Sequence, residues 1–148
     1  MKKIEIFNEV KSFKVPRKRL LNAFGAFFEA EGVKSMEVGL IFVGEAKMAK
    51  LNEKWKKRKG PTDVLSFNYG KGTERNNEGE GDCDCVTGEI YICVKVAERY
   101  ALEVGESLSS EILNLFMHGL LHLAGYTHEN DQKLEKMMDR AKKIFSRL

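Results

Sequence analysis

The sequence of 148 residues predicts an α/β fold, an α+β sandwich in which a small mixed β-sheet packs with helices. Three observations predict it. Short runs alternate apolar and polar residues with period two, and longer runs repeat apolar residues three and four apart. The two kinds are interspersed along the whole chain. They follow no strict strand-helix-strand rhythm, so the sheet should be mixed rather than wholly parallel.

Ile4 and Ile6 alternate with polar neighbours as a short half-buried strand does, and Pro16 sits where a helix can begin. Leu20, Leu21, Phe24, Phe27 and Phe28 recur at helical spacing up to Gly32. Met36, Val38, Leu40 and Phe42 alternate over a strand that Gly44 closes. A second helix runs from about Glu45 to Trp55, burying Met48, Leu51 and Trp55, and Gly60-Pro61 ends it. Val64 to Phe67 is a short strand, and the Gly-, Asn- and acid-rich Gly70 to Gly81 reads as a mobile loop. Glu89 to Val94 is another strand and Lys95 to Val104 a third helix, stopped near Gly105. Ser109 or Ser110 caps the next helix, with Glu111 in its first turn, where the helix dipole favours a carboxylate. That helix passes through Ile112, Leu115, Phe116 and Leu120 to Gly125. The last helix starts near Asn130 or Asp131 and buries Leu134, Met137, Met138, Ala141, Ile144 and Phe145.

A chain of this length supports one core, so residues 1–148 read as a single domain. No apolar run approaches the roughly 20 residues that span a bilayer. Met1-Lys2-Lys3-Ile4-Glu5-Ile6 breaks polarity before a signal-peptide stretch can form, which points to the cytoplasm. Cys83, Cys85 and Cys93 are an odd set, which argues against a disulfide framework. Charge is unevenly spread. Lys47, Lys50, Lys54, Lys56, Lys57, Arg58 and Lys59 face only Glu53 in their segment, and this basic stretch reads either as a solvated face or as a phosphate-binding rim. From Gly72 to Cys85 the balance reverses to acidic.

All three histidines lie within eleven residues, His118-Gly-Leu-Leu-His122-Leu-Ala-Gly-Tyr-Thr-His128. His118 and His122 are four apart on the predicted helix, so their imidazoles leave one face a turn apart and can share an ion. Gly125 lets the backbone turn through a left-handed conformation that can bring His128 back to the same point. Three neutral imidazoles suit one zinc ion and leave a fourth position for water, the arrangement of a catalytic site. A closed structural site would need a fourth protein ligand, for which Cys83, Cys85 and Cys93 are the candidates; Glu129 and Asp131 could orient a ligand from behind. The spacing is also that of metzincin proteases, which carry a glutamate base after the first histidine. Here that position is Gly119, which leaves a peptidase without its proton acceptor.

The histidine segment resembles the hallmark of the YbeY family of metal-dependent bacterial endoribonucleases, H-G-x-L-H-L-x-G-Y-x-H. Leu51-Asn52, Pro61 to Phe67 and Gly88 to Ile92 extend the resemblance in the family's order, nearly continuously from Val38 to the C-terminus. The resemblance implies one α/β domain, zinc on His118, His122 and His128, and single-stranded RNA as substrate. It also implies maturation of the 3′ end of small-subunit ribosomal RNA, ribosome quality control, and the small ribosomal subunit as partner. The family commonly has an arginine after the aromatic that follows Leu-Asn; here Lys56 follows Trp55, with Arg58 two residues on. Lys56 and Arg58 are therefore the candidate catalytic cations, though lysine cannot make the bidentate phosphate contact of a guanidinium. Asn68 and Thr127 stand where the family usually has proline and aspartate. Asp63 and Ser66 read equally as substrate-orienting groups and as turn and strand residues, and Trp55 as core rather than a base-stacking platform. The alternatives are a zinc peptidase-like hydrolase and a ribosome-binding module with a structural metal.

Overall fold

Alternation decides which side of the sheet each strand residue takes. The computed structural model describes residues 2–69 and 85–148; the predicted loop from Gly70 to Gly81, the acidic run up to residue 84, and Cys83 lie outside them. Strands β1 (Lys2–Asn8), β2 (Ser35–Val43), β3 (Val64–Asn68) and β4 (Cys85–Cys93) form one sheet in the order β1-β2-β4-β3. β1, β2 and β4 run parallel and β3 pairs antiparallel with β4, so the sheet is mixed as predicted. In β2, Met36, Val38, Leu40 and Phe42 point to one face and Ile41 and Val43 to the other.

Helices α1 (Arg17–Glu31), α4 (Leu108–Leu123) and α5 (Asp131–Phe145) pack on the first face, while α2 (Glu45–Lys56) covers part of the second. Helix α3 (Val94–Val104) packs on α4. α4 is apolar on nearly every side, and so it lies at the centre of the main core. Among the described residues, no helix is long and apolar enough to cross a membrane.

Several local expectations need correction. β4 begins at Cys85 rather than Glu89, because Cys85, Val86, Thr87 and Gly88 continue the ladder with β2. Ser107, not Ser109 or Ser110, caps α4: its side chain accepts from the Ser110 amide at 3.1 Å, while the other two serines already lie in the first turn. α2 ends at Lys56 with Lys57 left-handed at φ 58°, before Gly60 is reached. Leu21 and Met138 lie on the solvent side of their helices. Trp55 is not core either: β3 is the sheet's edge and α2 overhangs it, leaving the indole 57% exposed.

Candidate metal centre and adjoining cavity

The end of α4 is built to bring three rings together. His118 and His122 are half-buried on the last turns of the helix. The helix then closes with two bonds of a Schellman turn, Tyr126 N–H to Leu121 C=O and Gly125 N–H to His122 C=O, each 3.0 Å, with Gly125 at φ 102°. The reversed chain carries the exposed His128 back to the other two. Nε2 of His118 and Nε2 of His122 lie 3.1 Å apart, and one ring nitrogen from each of the three histidines lies within 4.8 Å of the others. Tetrahedral zinc with bonds of about 2.0 Å separates its nitrogen ligands by roughly 3.3 Å, so the donor set fits such an ion.

The electrostatics agree with that fit. Burial pushes both His118 and His122 down to about 4, helped by neighbouring imidazoles, so their rings are neutral at pH 7 with lone pairs available. The charge of Lys56 acts on His122 in the same direction, while the Tyr126 backbone opposes it. Among the described residues no cysteine or carboxylate joins the cluster. Cys93 is buried under α2 with Ile41 and Val43, and the Glu129 carboxylate pairs with Lys133 at 3.4 Å.

Behind the turn lies a network that no sequence spacing announces. The Tyr126 side chain is 1% exposed, and its hydroxyl donates to the Glu31 carboxylate at 3.2 Å. Arg140 Nε donates to the same carboxylate at 2.7 Å and its Nη2 to the Ala30 carbonyl at 2.9 Å. Helices α1 and α5 thus hold from behind the turn that follows His122. Only the place of Tyr126 inside the histidine segment hinted at it.

A cavity of about 570 Å³ opens in front of the rings, lined by all three histidines together with Lys56, Arg58, Asp63, Ser66 and Asn68. The three histidines and both candidate cations therefore border one space, whereas Cys85, Cys93, Glu129 and Asp131 are not among its lining residues. Asn52 shapes the rim by donating to the Gly60 carbonyl at 2.9 Å, which fixes the loop carrying Arg58. Asn68 donates to the Leu123 carbonyl at 3.1 Å and ties β3 to the end of α4. Asp63 makes a turn, its Oδ1 accepting from the Val64 amide at 2.7 Å. Gly119 faces away from the cavity: a Cβ there would come within 2.9 Å of the Ile90 side chain.

Glu111 departs from its expected charge. It is 5% exposed, and burial, with the charges of Asp63 and Glu106, pushes its carboxyl up to about 7, against a hydrogen bond from Asn114. These effects outweigh the helix dipole. Below pH 4.5 the group is protonated in both folded and unfolded chains, and its contribution is fully present. As pH rises the unfolded chain ionises first, so stability is lost between 4.5 and about 7, on the order of 2 kcal/mol. Glu111→Gln should therefore gain on the parent in thermal melts as pH rises, by about 4–8 °C from pH 4.5 to pH 8. A melting difference constant over that range would contradict the assignment.

The family model for endoribonuclease YbeY matches residues 5–148. The chain belongs to the endoribonuclease YbeY family. A relative named endoribonuclease YbeY from Pelotomaculum thermopropionicum is 35% identical over 130 residues, 87% of this chain and 84% of the relative. Another of that name, from a Sulfurihydrogenibium species, is 31% identical over 147 residues, 99% and 92% of the two chains. A solution structure of a Thermotoga maritima protein shares the fold at a TM-score of 0.61 and 28% identity, covering 98% of this chain and 91% of that one. The YbeY match takes in the histidine segment, the cavity and the network behind it, so the site belongs to the part of the chain that the family defines.

Proposed function

We propose that residues 1–148 form one metal-dependent hydrolase domain, a single-strand-specific endoribonuclease that holds one zinc ion on His118, His122 and His128. It acts in the cytoplasm on ribosomal RNA, maturing the 3′ end of the small-subunit RNA, and takes part in ribosome quality control with the small subunit as partner. The observation that carries this reading is the single cavity shared by the converging imidazoles and by Lys56 and Arg58, in a chain of the YbeY family.

Phosphodiester cleavage builds negative charge on the phosphoryl oxygens, and the site must meet it with positive charge placed in advance. The bound ion supplies part of that charge as a Lewis acid. Arg58 can grip two phosphoryl oxygens at once with its guanidinium, and Lys56 adds a point charge beside His122. The remaining basic residues of the segment track the backbone on either side. The cavity is the size of a small-ligand pocket and admits one nucleotide unit of a strand, whereas a duplex would stay outside it.

A peptidase finds little support. A glutamate at position 119 would point into Ile90 rather than into the cavity, and the Asp63 carboxylate, the one acid among the described lining residues, is engaged by the Val64 amide.

The reading is tested by cleavage of a labelled single-stranded RNA by zinc-loaded parent, Lys56→Ala and Arg58→Ala. Each variant is expected to lose on the order of 10²-fold in kcat/KM, with the larger kcat effect marking the group that contacts the reacting phosphate. Zinc-loaded parent that leaves RNA intact across salt and pH would sink the nuclease reading.

A further inference from the structure

Trp55 projects from the last turn of α2 with 57% of its surface exposed, although helical spacing aligns it with Met48 and Leu51. The indole is propped by a T-shaped contact with the Phe67 ring at 6.1 Å and 72°, and Phe67 meets Tyr91 in turn at 5.7 Å and 85°. Lys54 Nζ lies 5.1 Å from the indole centroid and Lys56 Nζ 5.9 Å from that of Phe67. The next residue along, Lys56, lines the histidine cavity, as does Arg58.

An exposed tryptophan propped on Phe67, with Lys54 beside its ring and one residue from the Lys56 that lines the histidine cavity, has the features of a stacking platform. We infer that Trp55 stacks an unpaired nucleobase of the RNA strand whose phosphate occupies the histidine cavity, with Lys54 pairing the phosphate beside that base. The inference deepens the nuclease reading and rests on it. Charge selects the occupant: Lys54, Lys56, Lys57, Arg58 and Lys59 flank Trp55 in the sequence against Glu53 alone, which suits a polyanion. A base carries a flat apolar face for the ring and a phosphate for the lysine.

The chain has one tryptophan, so its fluorescence reports position 55 alone. Metal-free protein, which leaves the strand uncut, is titrated with a short single-stranded RNA and separately with a duplex of the same sequence. The single strand is expected to quench the emission and the duplex to do so far less. Trp55→Ala, followed by anisotropy of labelled RNA, should bind on the order of tenfold more weakly with its salt dependence unchanged. Trp55→Phe should restore most of that loss, and Lys54→Ala should lower the salt slope by about one. Single-stranded RNA that binds without quenching, equal quenching by duplex, or unchanged affinity of Trp55→Ala would each overturn the platform. If zinc-loaded parent still cleaves RNA in that case, only the platform fails; if it neither binds nor cleaves, the nuclease reading fails with it.

Discussion

Gly88→Ala is expected to destabilise the chain by about 3 kcal/mol, the largest effect of any single methyl group at this site. A Cβ on Gly88 would overlap the Phe67 carbonyl oxygen and would come within 2.7 Å of the Leu123 side chain. Phe67 belongs to the β3 strand that pairs with β4 here, so its carbonyl cannot swing aside without breaking the ladder. Leu123 is the last residue of α4, one past His122, so relief on that side displaces the histidine helix instead. Gly119→Ala is the internal control. Its Cβ meets the Ile90 side chain at 2.9 Å rather than a backbone atom at its nearest contacts, and its cost should be smaller, about 1–2 kcal/mol. Urea unfolding of both variants measures the difference. Equal costs would show that β3 and α4 are not packed as tightly on Gly88 as the geometry requires.

Tyr126→Phe should weaken zinc binding by about 10–100-fold while removing a single oxygen. The phenol's bond to Glu31 anchors Tyr126, whose backbone raises the proton affinity of His122, so the loss reaches the site through the turn rather than by contact. Glu31→Ala goes further. It strips the partner from Arg140, whose Nε now lies 2.7 Å from a carboxylate only 4% exposed, and should cost about 3–5 kcal/mol of stability. The two readouts separate the roles. Competition of metal-loaded protein against a chelator gives the affinity, and melting of the metal-free protein gives the fold. Tyr126→Phe with unaltered zinc affinity and a lowered melting temperature would make the network structural only.

Much of this arrangement was legible from residue periodicity. Met36, Val38, Leu40 and Phe42 do share one face, the three histidines do converge, and Gly125 does take a positive φ where the chain reverses. These are local properties, set by helical and strand periods and by the one residue that tolerates a left-handed turn. What was not legible depends on partners far along the chain. Trp55 fits an apolar helical stripe, and only the position of β3 at the sheet edge leaves it in solvent. Glu111 looks like a first-turn acid, until Asp63 and burial under neighbouring helices raise its proton affinity. Glu31 and Arg140 are 109 residues apart, and nothing in the spacing of either suggests the other. The meaning of Gly119 also changed. It reads as a missing base in a protease motif, whereas in the fold it is a close contact between α4 and β4 that no carboxylate could use for catalysis.

In the proposed function, His118, His122 and His128 together hold the ion on which RNA cleavage depends. The most direct test loads the parent and His128→Ala with limiting zinc, measures bound metal per chain, and incubates each with the same single-stranded RNA. His128 is the exposed member of the set, so its loss should leave the core of α4 intact. One zinc per parent chain with cleavage is expected, and in His128→Ala both weakened zinc binding and cleavage lowered on the order of 10³-fold, with an unchanged melting temperature of the metal-free protein. Cleavage by His128→Ala at the parent's rate, or a parent that cuts RNA fully after its zinc is removed by chelation, would contradict it.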